Sequence, residues 1–245
     1  MNESSAASQP CLRATVRKHF SGRHTFQVEA DISVRPGVTI LFGRSGAGKS
    51  TLLNCIAGIV RPDEGEIALE RNGDRHPLFD SHKRLDEPPS RRKLGYVFQS
   101  LTLFPHLTVR QNVEYGISQL PCAARRRRSS ELMELFHIGH ISERRPSGIS
   151  GGESQRVALA RTLITEPSAL LLDEPFSALD LAARQSILED FRRWHSARQL
   201  PILYVTHSRK EALSLGKRML LMEVGKIVAE GEPESVLAQS EDLDE

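Results

Sequence analysis

None of the apolar runs in these 245 residues approaches the roughly 20 positions that a membrane-spanning helix needs. The longest, Val38-Thr39-Ile40-Leu41-Phe42 and Ala169-Leu170-Leu171-Leu172, have strand length, so work at a membrane would require recruitment by a partner. Residues 1–9 lack the basic-then-apolar pattern of a signal peptide. Cysteine is scarce. Cys11, Cys55 and Cys122 are widely spaced and odd in number, which argues against a disulfide framework and gives no metal-ligand spacing. All three read as small apolar filler in a reducing cytosol. The net charge of +2 is too small to mark a polyanion binder, and no nucleic-acid partner is expected. What remains is ordinary for a folded globular chain, with 39% hydrophobic and 26% charged residues.

The patterning separates two kinds of segment. Phe26, Val28, Ala30 and Ile32 alternate with polar residues, as on a half-buried antiparallel strand. Residues 38–42, 92–97, 169–172 and 202–206 read as core strands, with 38–42 continuous and apolar like a strand buried on both faces. Helical patterns lie between them, notably after residue 48 through Leu52, Leu53 and Ile56 to Gly58, and over 181–198. Strands alternating with helices predict an α/β domain with a largely parallel sheet. Residues 100–148 differ, with helix-like stretches at 109–119 and 125–136 and no convincing strand. They suggest a helical insertion. Residues 1–10 and 240–245 read as loose ends.

Chemistry enters at Gly43-Arg44-Ser45-Gly46-Ala47-Gly48-Lys49-Ser50, which fits the phosphate-loop pattern G-x-x-x-x-G-K-[ST] between an apolar strand and a helix. Glycines let the backbone wrap phosphate oxygens and aim N–H groups inward, and the helix adds its positive end. Lys49 is then suited to the β- and γ-phosphates and the Ser50 hydroxyl to Mg²⁺. The apolar run 169–172 ends in Asp173-Glu174, two carboxylates where open α/β sheets place ligand chemistry. Asp173 suits the Mg²⁺ shell, and Glu174 suits orienting or deprotonating an attacking water.

A third stretch narrows the class. Ile149-Ser150-Gly151-Gly152-Glu153, continuing Ser154-Gln155-Arg156-Val157-Ala158-Leu159-Ala160-Arg161, resembles the signature of ABC transporter ATPases. It departs at Ile149 for Leu and Glu153 for Gln. Gln99 resembles the family's Q-loop glutamine, Ser177-Ala178-Leu179-Asp180 its D-loop, and His207 its switch histidine. Phe20 stands where the family stacks an aromatic on adenine, with ordinary core packing as the alternative.

The resemblance covers about residues 12–237. It implies a P-loop NTPase (RecA-like) core with an antiparallel β subdomain and an inserted helical subdomain. A single ABC ATPase domain over 1–245 follows, with its core at about 11–99 and 160–240 and the helical part at about 100–159. It further implies a dimer holding two ATP with Mg²⁺ in composite sites. One subunit would give Phe20, Gly43, Arg44, Ser45, Gly46, Ala47, Gly48, Lys49, Ser50, Thr51, Gln99, Asp173, Glu174 and His207. The other would give Ser150, Gly151, Gly152 and Glu153, with Asp180 nearby. Ser50, Gln99 and Asp173 would face the metal, and Glu174, His207 and Gln99 would serve hydrolysis.

Partners implied are integral-membrane permease subunits and, indirectly, a solute-binding protein, at the cytoplasmic face of the membrane. Phe104, Pro105, His106 and Leu107 are candidates for the permease contact, with packing inside the insert as the alternative for Leu103, Phe104 and Leu107. Arg125-Arg126-Arg127-Arg128 reads as a solvated helical face. The wording of 96–99, 103–116, 149–163 and 201–208 is similar to molybdate-importer ATPases, with sulfate, iron and polyamine importers and exporters as alternatives. Soluble ABC proteins of translation carry two nucleotide domains, whereas one P-loop stands here. Several importer relatives carry a further C-terminal regulatory domain, which is not expected in a chain that stops eight residues after Leu237.

Overall fold

The strand that carries the phosphate loop, β3 (Gly37–Phe42), lies deep in a mixed sheet, because its side chains are apolar on both faces. The computed structural model describes residues 10–21, 25–71, 73–177, 179–196, 198 and 200–241. Residues 1–9 and 242–245 of the expected loose ends lie outside the described residues, as does Ala178 of the Ser177–Asp180 motif.

The chain forms two compact units. The first comprises 1–94, 168–173 and 199–245, and the second 95–167 and 174–198. In the first unit the strand order is β6-β5-β4-β1-β2-β11-β10-β3-β9-β8. Its heart is parallel: β3 pairs with β10 (Arg218–Glu223) and β9 (Pro201–Val205), and β9 pairs with β8 (Ala169–Asp173). Both β8 and β9 are buried throughout, as continuous apolar runs require.

Beyond this heart the sheet turns antiparallel. β1 (Cys11–Phe20) pairs with β2 (Phe26–Val34) on one side and β4 (Glu64–Arg71) on the other, and β5 (Asp74–Asp80) and β6 (Leu85–Asp86) extend the wing. The β2 alternation buries Val28, Ala30, Ile32 and Val34. β11 (Lys226–Gly231) pairs antiparallel with β10 and meets β2 at Lys226↔Glu29. The helix α1 (Lys49–Ala57) follows the phosphate loop and packs on β8, while α6 (Arg209–Leu215) and α7 (Pro233–Glu241) lie nearer the C-terminal end of the chain.

The second unit begins within β7 (Leu94–Val97), two residues shorter than the run read from the sequence. It is otherwise helical: α2 (Val109–Glu114), α3 (Cys122–Leu135), α4 (Gly151–Leu163) and α5 (Leu181–Ser196). The four-arginine run sits on α3. Arg125, Arg127 and Arg128 meet Glu114, Glu131 and Glu166 at 3.7, 3.9 and 3.5 Å. One expectation fails here. Cys122 is exposed at the first position of α3, whereas Cys11 and Cys55 are buried filler. Its neighbours Pro121 and Ala123 are exposed as well, so this end of the helix offers no apolar face to fill.

Candidate functional site

In the first unit the phosphate loop is shaped by two glycines. Gly43 has φ 155°, and a Cβ there would lie 2.2 Å from the Met222 carbonyl oxygen. Gly48, the N-cap of α1, has φ 103°, and a Cβ would lie 2.9 Å from Val28 and 3.1 Å from Phe26. No L-residue fits either position without moving backbone or core. Between them, Arg44, Ser45 and Gly46 face solvent while Ala47 is buried.

Lys49 is buried, and its Nζ donates to the Gly43 and Arg44 carbonyls, each at 2.8 Å. The ammonium is thereby held against the inside of the loop. Ser50 follows it, exposed at the first turn of α1, and Thr51 is half-buried. The opposite end of the helix carries a residue that sequence reading missed. Arg92 is fully buried and donates to the Cys55 and Ile56 carbonyls at 3.0 and 2.7 Å, to the Glu87 carbonyl at 2.8 Å and to Asp86 at 2.9 Å. It satisfies the last carbonyls of α1 and places a cation at the negative end of the helix dipole. Burial pulls its pKa below the ordinary arginine value, and Asp86 opposes that pull.

Asp173 ends β8, buried, in register with Val205 of β9. His207 follows that strand and is exposed. Phe20 lies opposite Phe26 in the β1–β2 ladder, their ring centroids 6.5 Å apart, with Lys18 Nζ 5.7 Å from the Phe20 centroid. Phe20 is 39% exposed, so its face is not spent on the core.

In the second unit Glu174 adopts φ 45°, a left-handed conformation that costs a non-glycine residue on the order of 1 kcal/mol. The Gln99 amide donates to its carboxylate at 3.4 Å. Ser150 caps α4: its Oγ accepts the Glu153 N–H at 3.2 Å, while its own N–H and hydroxyl donate to the Glu153 carboxylate at 2.7 and 2.8 Å. These two donors hold the Glu153 pKa below the ordinary value, with His140 at 3.4 Å adding a smaller pull. Among the described residues nothing lies within 4 Å of a Cβ added to Gly151, and only Ala183 Cβ, at 3.7 Å, near one on Gly152. The fold itself does not demand glycine at either place. Asp180 Oδ1 accepts the Ala183 N–H at 2.9 Å and so caps α5.

Asn112 was also missed. It is fully buried and pins the segment before α2: Oδ1 accepts the Phe104 N–H at 2.8 Å, and Nδ2 donates to the Phe104, Leu107 and Thr108 carbonyls at 3.1, 3.3 and 3.0 Å. Within that segment Pro105 and His106 stay exposed. Phe104 is half-buried, 4.4 Å from the Tyr115 ring and 5.3 Å from the Arg161 guanidinium. The buried Asn112 is a weak sequence signal, because nothing in its neighbours distinguishes it from a solvated helix residue.

The donor set suits a triphosphate with a hard cation. A glycine-shaped loop, a helix N-terminus and a buried lysine fit phosphate. Among the described residues no group of three or more His, Cys, Asp or Glu is gathered for a metal. One hydroxyl, Ser50, and one carboxylate, Asp173, fit Mg²⁺, which keeps most of its shell as phosphate and water.

Strand, glycine loop and helix in this order define a P-loop protein. The chain matches the ABC transporter family over residues 29–177 and belongs to that family. Molybdenum import ATP-binding protein ModC of Paramagnetospirillum magneticum is 45% identical over 212 residues, 86% of this chain and 57% of that protein. ModC 1 of Azotobacter vinelandii is 42% identical over 229 residues, 93% of this chain and 62% of that protein. The chain thus spans about 57–62% of the length of these relatives. Among solved structures, a bacterial ABC transporter cassette in dimeric form has a TM-score of 0.76 at 27% identity, over 91% of this chain and 98% of that one. The protein cbiO1 from Clostridium perfringens, part of the ABC transporter complex cbiONQ, has a TM-score of 0.78 at 26% identity, over 97% and 94%. No helix among the described residues is long and apolar enough to cross a membrane.

Proposed function

We propose that this chain is the ATP-hydrolysing subunit of an ABC importer, working as a dimer around two ATP to drive uptake of molybdate or a related oxyanion. The observation that carries the reading is the identity of 42–45% with molybdenum import ATP-binding proteins. The phosphate loop around Lys49 gives it a physical basis.

In this reading the loop 43–48 cradles the phosphates with its N–H groups, Lys49 moves from the Gly43 and Arg44 carbonyls to the β- and γ-phosphates, and Thr51 supports the same end of the helix. Phe20 stacks on adenine. Ser50, Asp173 and Gln99 hold Mg²⁺, which supplies charge neutralisation across the phosphates. Glu174 takes the proton of the attacking water, and Gln99 and His207 orient the γ-phosphate and report its loss. The second copy supplies Ser150, Gly151 and Gly152, with Glu153 behind them. Gly151 fits this assignment, since a Cβ there would lie within 4 Å of nothing among the described residues and leaves room for a partner's phosphate. Asp180 joins the dimer face. Closure excludes water and adds donors where charge redistributes in phosphoryl transfer. Permease subunits dock on the segment around Pro105 and His106, at the cytoplasmic face of the membrane, and a solute-binding protein delivers cargo to them.

Two experiments test the reading. Lys49→Ala removes the loop's buried cation and abolishes ATP hydrolysis; turnover within tenfold of the unsubstituted protein would rule out the ATPase assignment. In vesicles reconstituted with the permease, a molybdate-loaded binding protein stimulates hydrolysis. Stimulation by a sugar-, amine- or amino-acid-loaded protein instead would rule out the solute while leaving the ATPase intact.

A further inference from the structure

His207 projects from a chain segment tied on both sides to one residue, Glu211, through its carboxylate before the histidine and its backbone N–H after it. Before it, the Thr206 hydroxyl donates to Glu211 Oε2 at 2.7 Å, and the Tyr204 hydroxyl donates to the same oxygen at 2.9 Å. After it, the Ser208 N–H donates to Thr206 Oγ1 at 3.0 Å, and Ser208 Oγ accepts the Glu211 N–H at 3.3 Å. Both neighbours of His207 are thus tied to Glu211. Tyr204 is fully buried, Thr206 3% exposed and Glu211 6% exposed.

Capping α6 does not require this arrangement. Ser208 alone caps the helix through the Glu211 N–H, which any residue at position 211 would offer. Burying a carboxylate is expensive unless donors satisfy it, and an apolar residue would fill the space at less cost. What the carboxylate adds is direction. It turns the Thr206 hydroxyl hydrogen toward α6, which leaves the Thr206 oxygen free to take the Ser208 N–H and fixes the bend at 206–208. The same strand lies between β3, which leads into the phosphate loop, and β8, which ends at Asp173. The frame therefore references His207 to both strands.

We propose that Glu211 is a positioning residue for hydrolysis, acting through Tyr204 and Thr206 to fix the backbone from which His207 reaches the γ-phosphate. The proposal rests on the role assigned to His207 above. Loss of the carboxylate leaves Thr206 and Ser208 free to re-pair, and displacement of a catalytic side chain by about 1 Å can cost on the order of 100-fold in rate.

The test is a double-mutant cycle in ATP turnover, with kcat and KM measured separately. Glu211→Ala lowers kcat at least ~10-fold with KM for ATP within about threefold. Glu211→Gln, whose amide oxygen accepts both hydroxyls, restores kcat to within about threefold. In a His207→Ala background, Glu211→Ala adds less than ~2-fold, because both changes remove one function. If Glu211→Ala does not fold, Thr206→Val, which removes one hydroxyl at nearly constant shape, is read in the same cycle. Losses that multiply in the double variant overturn the proposal, as does normal kcat in Glu211→Ala or Thr206→Val beside an inactive His207→Ala; in both cases the ATPase assignment stands. Normal turnover in His207→Ala overturns the role of that histidine, and the proposal with it.

Discussion

Arg92 and Gly58 occupy the same corner of the molecule: a Cβ on residue 58 would lie 2.5 Å from Arg92 Nε. Gly58, at φ 79°, closes the last turn of α1 by donating its N–H to the Asn54 and Cys55 carbonyls, and the room left by its missing side chain is filled by the guanidinium. The helix that begins at the phosphate loop is therefore ended by a glycine and a buried cation acting together.

Replacing Arg92 by Met keeps the volume but removes the side-chain donor of the Ile56 carbonyl. Asp86 is exposed and keeps Arg61 at 3.6 Å, so the loss is that of buried carbonyls left without a donor, ~1–3 kcal/mol. Urea unfolding should show a lower midpoint with unchanged slope, and Arg92→Lys should recover only part, since a single ammonium cannot span four acceptors.

Much of this architecture was legible beforehand, for a physical reason. Continuous apolar runs such as 169–172 and the glycine loop at 43–48 tie residue type to geometry within a few positions. The antiparallel wing was harder to read. β5 contains His76 and Pro77 and buries only its end, Leu78, Phe79 and the carboxylate Asp80, so it has neither clean alternation nor a long apolar run. Arg92 and Asn112 were invisible because their value lies in backbone carbonyls brought to them by folding. Glu211 was hidden likewise: its two hydroxyl partners lie five and seven positions earlier, across the end of a strand.

Glu174→Gln retains size and hydrogen bonding but cannot take a proton. The variant should bind ATP and hydrolyse it at least ~100-fold more slowly, accumulating an ATP-bound dimer visible by gel filtration. Normal turnover would move the catalytic base elsewhere.

Ser150→Arg should act across the dimer. In mixed dimers with one Ser150→Arg copy and one Lys49→Ala copy, the two lesions fall either in one composite site or in two. The proposed arrangement puts both in the same site and leaves the other intact, giving about half the turnover of the unsubstituted dimer. Loss of all turnover would show that each signature serves its own chain.

The three thiols should separate by reactivity. Burial pushes the Cys55 thiol up to about 11, so at pH 8 it is protonated as well as shielded. Cys122 is exposed and should be alkylated first in the native protein, with one label per chain by intact mass. Early labelling of Cys55 would show that α1 opens readily.

Lys49 has a consequence beyond its charge. By placing its ammonium on the Gly43 and Arg44 carbonyls, it ties the loop into shape from within before any anion arrives. Ordering a free loop would cost ~1–2 kcal/mol per residue at each encounter with an anion. Here that entropy is surrendered once, when the chain folds. In the proposed reading, arrival of a phosphate is an exchange of acceptors around a single nitrogen, and departure reverses it. While the ammonium is away in the proposed cycle, the close-packed Gly43 and Gly48 still hold the backbone, so each release returns the loop to a form ready for the next capture.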